Sequence, residues 1–372
     1  MGGTHLQVRV KMKKILDESK LIIGAGLITG VIASALTLAG NPLNMGFCIA
    51  CFLRDTAGAL GLHNASALCF VRPEIIGIVL GAFIAAALKG EFKSKGGACP
   101  VTRFTLGFFA MTGCLMFMGC PLRMTLRLAG GDGNALFGLA GLICGVGLGV
   151  FFLNKGFSLK RNALLTKTEG GIPVITCVIL LILLIAFPSV LKLTKEGEGA
   201  GAVHAFVYIS LLAGIIVGVL AQRSRLCLVG GIRDIMLFKD FKLVSGFIAI
   251  FAGAFIMNII LGILTGTKYF NPGFAGQPAA HTEGLWNLLG MLLTGFCCVL
   301  LGGCPMRQLV LTGEGNTDSA VTVLGFVAGA AICHNFGLAS GSDGVTFAGK
   351  TAVIIGIAAT LLIAVFNSSK SE

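Results

Sequence analysis

Two pentapeptides in this chain join a thiol, a helix breaker and a guanidinium within one helical turn: Gly119-Cys120-Pro121-Leu122-Arg123 and Gly303-Cys304-Pro305-Met306-Arg307. Each closes a long apolar run, where freed backbone groups and a buried charge find no water and are retained for function rather than for packing. A helix starting at the proline puts Cys120, Arg123 and Arg127 at i, i+3 and i+7, on one face, so a polarisable sulfur would stand beside two cationic forks. The second copy keeps Cys304 and Arg307 but has Leu311 in the third place. Such a face suits capture of a small anion; the plainer reading is that the arginines, Arg127 above all, snorkel to headgroups.

A second motif is also duplicated. Cys48 stands six residues ahead of Arg54-Asp55, and Cys227 stands six residues ahead of Arg233-Asp234. A helix start near either cysteine would favour both a thiolate and a bound anion. For the two Arg-Asp pairs, mutual neutralisation at membrane depth and a place on an ion pathway stand as equal readings. The remaining Cys69, Cys114, Cys144, Cys177, Cys297, Cys298 and Cys333 read as small buried apolar residues. His63, His204, His281 and His334 do not cluster with carboxylates at metal-ligand spacing. Asp132, Asn134, Glu314, Asn316 and Asp318 read as caps of the helices that follow them.

The elements that must position these residues are membrane helices. Of 372 residues, 55% are hydrophobic and only 12% charged, and the mean hydropathy of +0.93 places the chain among polytopic membrane proteins. The net charge of +12 lies in short loops between apolar runs and forms no aromatic-interleaved basic surface, which excludes nucleic acid as a partner. The 13 cysteines fall mostly inside apolar runs, so free thiols rather than a disulfide framework are expected. Cys48-x-x-Cys51 has no paired set at zinc-ribbon spacing, so neither a metal nor a cofactor is implied.

Ten stretches are long enough to cross a bilayer: about 20–39, 73–90, 102–119, 134–153, 172–191, 202–221, 243–264, 285–303, 319–338 and 350–366. The run 45–70 is apolar but broken by Asn41-Pro42, Arg54-Asp55 and His63-Asn64, which predicts a re-entrant half-helix shielded by protein. Because both motifs recur in the same order, the chain reads as an internal duplication. Five spans per copy turn the second copy upside down, the inverted-repeat plan. The predicted organisation is a basic cytoplasmic segment 1–19, repeat one over 20–192, a linker 193–201, repeat two over 202–366 and a cytoplasmic tail 367–372. The first apolar run follows Arg9, Lys11, Lys13, Lys14 and Lys20 as in a signal peptide, but its later twin marks it as a retained helix. With both termini in the cytoplasm, most of the 28 Lys and Arg face inward, including Lys89, Lys93, Lys95, Lys155 and Lys370. A full crossing by 45–70 would reverse several of these groups. Within the spans, Gly26-x-x-x-Gly30, Gly77-x-x-x-Gly81, Gly141-x-x-x-Gly145 and Gly214-x-x-x-Gly218 predict close helix packing.

The phrases Gly40-Asn-Pro-Leu-Asn-Met-Gly-Phe-Cys-Ile-Ala-Cys-Phe-Leu-Arg-Asp-Thr, Arg72-Pro-Glu-Ile-Ile-Gly, Gly119-Cys-Pro-Leu-Arg-Met and Leu128-Ala-Gly-Gly-Asp-Gly-Asn resemble the YeeE/YedE sulphur-transport membrane family. The likeness is greatest to the branch associated with selenium metabolism. The resemblance implies a prokaryotic plasma-membrane permease, not an enzyme, importing a thiosulfate-like or selenium-containing anion. It further implies a central path on which Cys48, Cys120 and Cys304 hand the ion along, with Cys227 as the repeat partner of Cys48. Arg54, Arg123 and Arg127 would gather the anion, with Arg233 and Arg307 towards the cytoplasmic mouth. A membrane thiol enzyme or sulfur/selenium carrier, holding a persulfide or selenosulfide on one cysteine, is the alternative. A third possibility is docking of a soluble sulfur/selenium carrier protein on the basic inner loops.

Overall fold

Pro121 and Pro305 each stand at the first position of a short helix, where a fixed φ and a missing N–H do no harm. The residues before them reverse the chain: Met118 (φ 60°) and Gly302 (φ 83°) both adopt the left-handed conformation and end the preceding helix. These breaks recur in a computed structural model that describes residues 2–368, with side chains from Glu18 onward. The side chains of Arg9, Lys11, Lys13 and Lys14, and Lys370 with the end of the tail, lie outside the described residues.

The first half comprises α1 (Gly2–Leu38), α2 (Ile49–Ala59), α3 (Pro73–Leu88), α4 (Pro100–Phe117), α5 (Pro121–Ala129), α6 (Asn134–Asn154) and α7 (Lys167–Ala186). The second half gives α8 (Val207–Ser224), α9 (Leu228–Phe238), α10 (Lys242–Thr265), α11 (Gly284–Leu301), α12 (Pro305–Gly313), α13 (Thr317–Asn335) and α14 (Phe347–Phe366). The two halves match element for element: α2 and α9 are both 11 residues long, and α5 and α12 are both 9. A helix of 11 residues rises about 16 Å, half of the roughly 30 Å hydrocarbon core, so neither α2 nor α9 crosses alone. Among the described residues, 10 segments are long and apolar enough to span a membrane.

Packing joins the halves. Helix α1 lies on α10 and α3 on α8, while α4 and α6 of the first half pack on α11 and on each other's counterparts. The small-residue pairs make these approaches close. A methyl at Gly26 or Gly30 would strike the backbone of Gly246 or Ile250, and one at Gly141 or Gly145 that of Leu288 or Leu292. Gly77 and Gly81 meet the backbone of Leu211 and Ile215, and Gly214 and Gly218 answer with Glu74 and Ile78. Backbone contact of this kind supplies the van der Waals attraction that lipid tails cannot.

The distribution of side chains is that of a membrane protein. Arg72, Arg123 and Arg127 are the largest side chains buried completely, whereas Ile172, Ile175, Ile179 and Ile182 of α7 are about half exposed. The chain is thus a multi-pass helical membrane protein. Two spans sit differently from expectation: α8 covers Val207–Ser224 rather than 202–221, and α7 covers Lys167–Ala186 rather than 172–191. Pro188 disfavours helical geometry at Phe187 and ends the helix early, and Pro173 is accommodated in its N-terminal part.

Candidate functional site

The four repeated cysteines share one structural role: Cys48, Cys120, Cys227 and Cys304 are the N-cap residues of α2, α5, α9 and α12. All four are buried. Each stands in extended backbone, where its sulfur can face the unsatisfied N–H groups of the first turn. Cys48 Sγ accepts from Cys51 N at 3.4 Å, and Cys227 Sγ accepts from Gly230 N at 3.3 Å. The short helices meet in pairs. Cys227 Sγ also accepts from Cys304 N at 3.4 Å, and Cys48 lies side by side with Cys120. Two helix N-termini therefore converge on each thiol pair, adding partial positive charge where an anion could rest.

Cys114 and Cys298, assigned to the apolar core by sequence, are fully buried there. Cys114 on α4 stands near Cys48 and Cys120, and Cys298 on α11 near Cys114, Cys227 and Cys304. Thr294, one turn before Cys298, donates to Cys114 Sγ at 3.7 Å, so these faces of α4 and α11 oppose each other. The two are placed alike in the repeats: Cys114 precedes Cys120 by six residues, and Cys298 precedes Cys304 by the same interval. Cys51 neighbours Cys48. Its sulfur is 2.8 Å from that of Cys48 and takes a 3.7 Å bond from Arg123 Nη1.

The five arginines divide sharply. Arg54 is tied to Asp55 at 2.7 Å, and Asp55 is held in turn by Arg72 at 2.8 Å. Arg127 and Asp132 pair at 2.6 Å with neither side chain exposed, and the guanidinium lies 4.1 Å from the Phe117 ring centre. Arg233 pairs with Asp234 at 2.8 Å, and Arg307 with Glu314 at 3.1 Å. Arg123 differs. It is 1% exposed, and among the described residues no carboxylate comes within ion-pair distance of it. Its donors go instead to the carbonyls of Asn44, Met118, Pro278 and Ala279. A buried guanidinium satisfied by neutral carbonyls keeps its full charge for a mobile anion.

Pro278 and Ala279 belong to the segment 266–283, which folds back over the α5–α6 break. Gly133 N donates to Gly273 O at 2.8 Å, Asn271 N to Gly130 O at 2.9 Å and Asn134 Nδ2 to Phe274 O at 2.7 Å. His281 donates from Nε2 to Met116 O at 2.8 Å; burial pushes its pKa below the usual histidine range. The same segment ends at Glu283, whose pKa is lowered by the Val345 N–H and then by Lys350. On the opposite side, a cavity of about 920 Å³ opens beside α12. Lys93, Lys95, Arg223, Arg225, Lys242 and Arg307 line it together with four carboxylates.

Of the five expected caps only Asn316 caps its helix: α6 begins at Asn134 after Gly133 with no side-chain cap, and Glu314 closes α12 and pairs with Arg307. Asn316 caps α13 through Ser319 N, and Asp132 accepts from Asn134 N while pairing with Arg127. Asp318 reaches away from its own helix to Gly97 N and Ala98 N.

Fold and buried charge together define a polytopic membrane protein with a thiol-rich interior and, in Arg123, a buried guanidinium that has no carboxylate partner among the described residues. Comparison with known proteins narrows this. Residues 223–368 match the profile of the family described as "Sulphur transport". A stretch of 127 residues is 32% identical to the protein named thiosulfate transporter TsuA from Spirochaeta thermophila, covering 33% of this chain and 35% of that one. The aligned part is therefore about a third of the relative's length.

Proposed function

We propose that this protein is a permease for a small sulfur-containing anion of the thiosulfate class, with a selenium-containing analogue as the closely related cargo. The observation that carries the reading is Arg123, a buried guanidinium without a carboxylate, set beside the paired thiols at the N-termini of α2 and α5. The family match and the thiosulfate transporter relative support it. In this reading the two halves face opposite sides of a prokaryotic plasma membrane, with both termini in the cytoplasm and the segment 266–283 closing the outer mouth. The anion displaces the Pro278 and Ala279 carbonyls from Arg123 and loses its water against Cys48 and Cys120. It then passes Cys114 and Cys298 to Cys304 and Cys227, and leaves through the basic cavity beside Arg307. Thiols are weak, polarisable partners for sulfur or selenium and so allow both entry and release. Arg54, Arg127 and Arg233 act through their ion pairs, shaping the path rather than binding the cargo.

Uptake of labelled thiosulfate, sulfite, selenite and sulfate into proteoliposomes tests this. Saturable uptake of one ion by the wild type, lost in Cys120→Ala and Cys304→Ala, is the expected result. Uptake undiminished in both variants removes the thiol path, and no uptake of any ion removes the permease.

One observation favours the thiol-carrier alternative. Cys227 Sγ receives two backbone N–H bonds, a setting that stabilises a thiolate able to take up sulfane sulfur. A stable mass increase of one sulfur on Cys227 after incubation with thiosulfate, without net uptake, would decide for it. Docking of a soluble sulfur carrier protein on the basic inner loops is a third reading, which charge reversal at Lys89, Lys93 and Lys95 tests.

A further inference from the structure

The first half of the duplication carries a thiol that the second half lacks. Cys48 and Cys51 occupy the N-cap and third positions of α2; in α9 the matching residues are Cys227 and Gly230. The backbone is the same in both, with the cap sulfur accepting the N–H three residues on. In α2 that arrangement brings two sulfurs to 2.8 Å, both from residues no more than 1% exposed. A Cys-x-x-Cys pair opening a helix is the arrangement in which vicinal thiols interconvert with a disulfide. Here it is placed beside a buried guanidinium without a carboxylate partner among the described residues, with Arg123 Nη1 directed at Cys51 Sγ.

We propose that Cys48 and Cys51 form a reversible disulfide under peroxide, and that this bond shuts the path by withdrawing the Cys48 thiol from Cys120. The inference rests on the permease reading for its consequence, though not for the bond itself. The chemistry balances with a peroxide as oxidant. One sulfur attacks the peroxide, an S–O bond forms as the O–O bond breaks, and the first water leaves. The second thiol displaces the resulting sulfenic oxygen, forming S–S and releasing the second water. Two protons and two electrons leave the dithiol, and hydrogen peroxide becomes two waters. A small dithiol reverses the step by exchange. Peroxide is small enough to enter by the route proposed for the anion, whereas a bulky oxidant is not.

The test uses the full-length protein in proteoliposomes, with hydrogen peroxide as the probe, in wild type and Cys51→Ala. The bond is read by peptide mass as loss of two hydrogens across residues 48–51 after alkylation of free thiols. Uptake of labelled thiosulfate is measured in parallel. The expected result is a Cys48–Cys51 disulfide with uptake reduced at least fivefold and restored by dithiothreitol. Whatever uptake Cys51→Ala shows before treatment should be unchanged by the same peroxide dose. Free thiols at both positions after treatment overturn the proposal. So does a disulfide that leaves uptake unchanged, or a Cys51→Ala variant as sensitive as the wild type. If untreated protein carries no thiosulfate, the permease reading and the gating consequence fall together, while the mass measurement still decides whether the bond forms.

Discussion

Arg123 and Arg127 lie one turn apart on α5 and are both buried, yet they should respond to the same substitution in opposite ways. Arg123→Gln keeps an amide donor for the surrounding carbonyls and removes a charge that no carboxylate balances. The empty protein should lose little or no stability, because burying an unpaired ion is unfavourable in itself. Binding should suffer instead: a charge-assisted hydrogen bond to a ligand contributes about 1.5–3 kcal/mol. At about 1.4 kcal/mol per tenfold, KM for the transported anion should rise roughly tenfold to a hundredfold. Arg127→Gln leaves Asp132 buried without its 2.6 Å partner, a loss on the order of 3–5 kcal/mol. Its melting temperature in detergent should drop steeply, and adding Asp132→Asn should recover much of the loss. Concentration-dependent uptake and thermal unfolding of the same preparations give both readings. An unchanged KM in well-inserted Arg123→Gln, or equal destabilisation by the two substitutions, would refute the division between a free and a neutralised arginine.

Other expectations follow from the same geometry. Gly145→Val would drive a branched side chain into the Leu292 backbone and should destabilise the α6–α11 contact by about 1–3 kcal/mol, seen as a lower melting temperature. Acidification should loosen the segment 266–283 through His281, whose folded pKa lies below its unfolded value of 6.5. Between those two values the unfolded chain binds more protons, so stability is intact above 6.5 and is lost as pH falls towards the folded pKa. Hydrogen exchange of 266–283 should quicken over that window in the wild type and much less in His281→Gln. Orientation can be read with single cysteines in a background where native exposed thiols are blocked. An impermeant maleimide should label a cysteine at Gly197 from outside intact cells and one at Lys93 only after permeabilisation.

The spans were legible because lipid imposes a single coarse rule, and the half-helix at 45–70 was legible because a full crossing would have reversed the loop charges. Local spacing also carried the repeated cysteines to their helix starts. Cys114 and Cys298 read as core because they lie inside apolar runs, and both are fully buried. The ion pairs were half visible. Arg54 with Asp55 is adjacent in sequence, but Asp55 with Arg72 and the Pro278 and Ala279 carbonyls on Arg123 are joined only by folding. No periodicity reports that a loop from the second half will fold back over a helix break in the first.

Cysteine is a weak choice for the first position of a helix, where serine, threonine, aspartate or asparagine contribute about 0.5–2 kcal/mol over residues that cannot cap. Four short helices here begin with it, and in α2 and α9 its weakly accepting sulfur takes the first-turn N–H at 3.3–3.4 Å. These helices have therefore forgone strength at the ends that face the interior. Serine at the same positions should tighten each turn while removing the soft sulfur, so that the sturdier protein would be the poorer carrier. A screen for thermal robustness alone would select against the four cysteines that the proposed path uses.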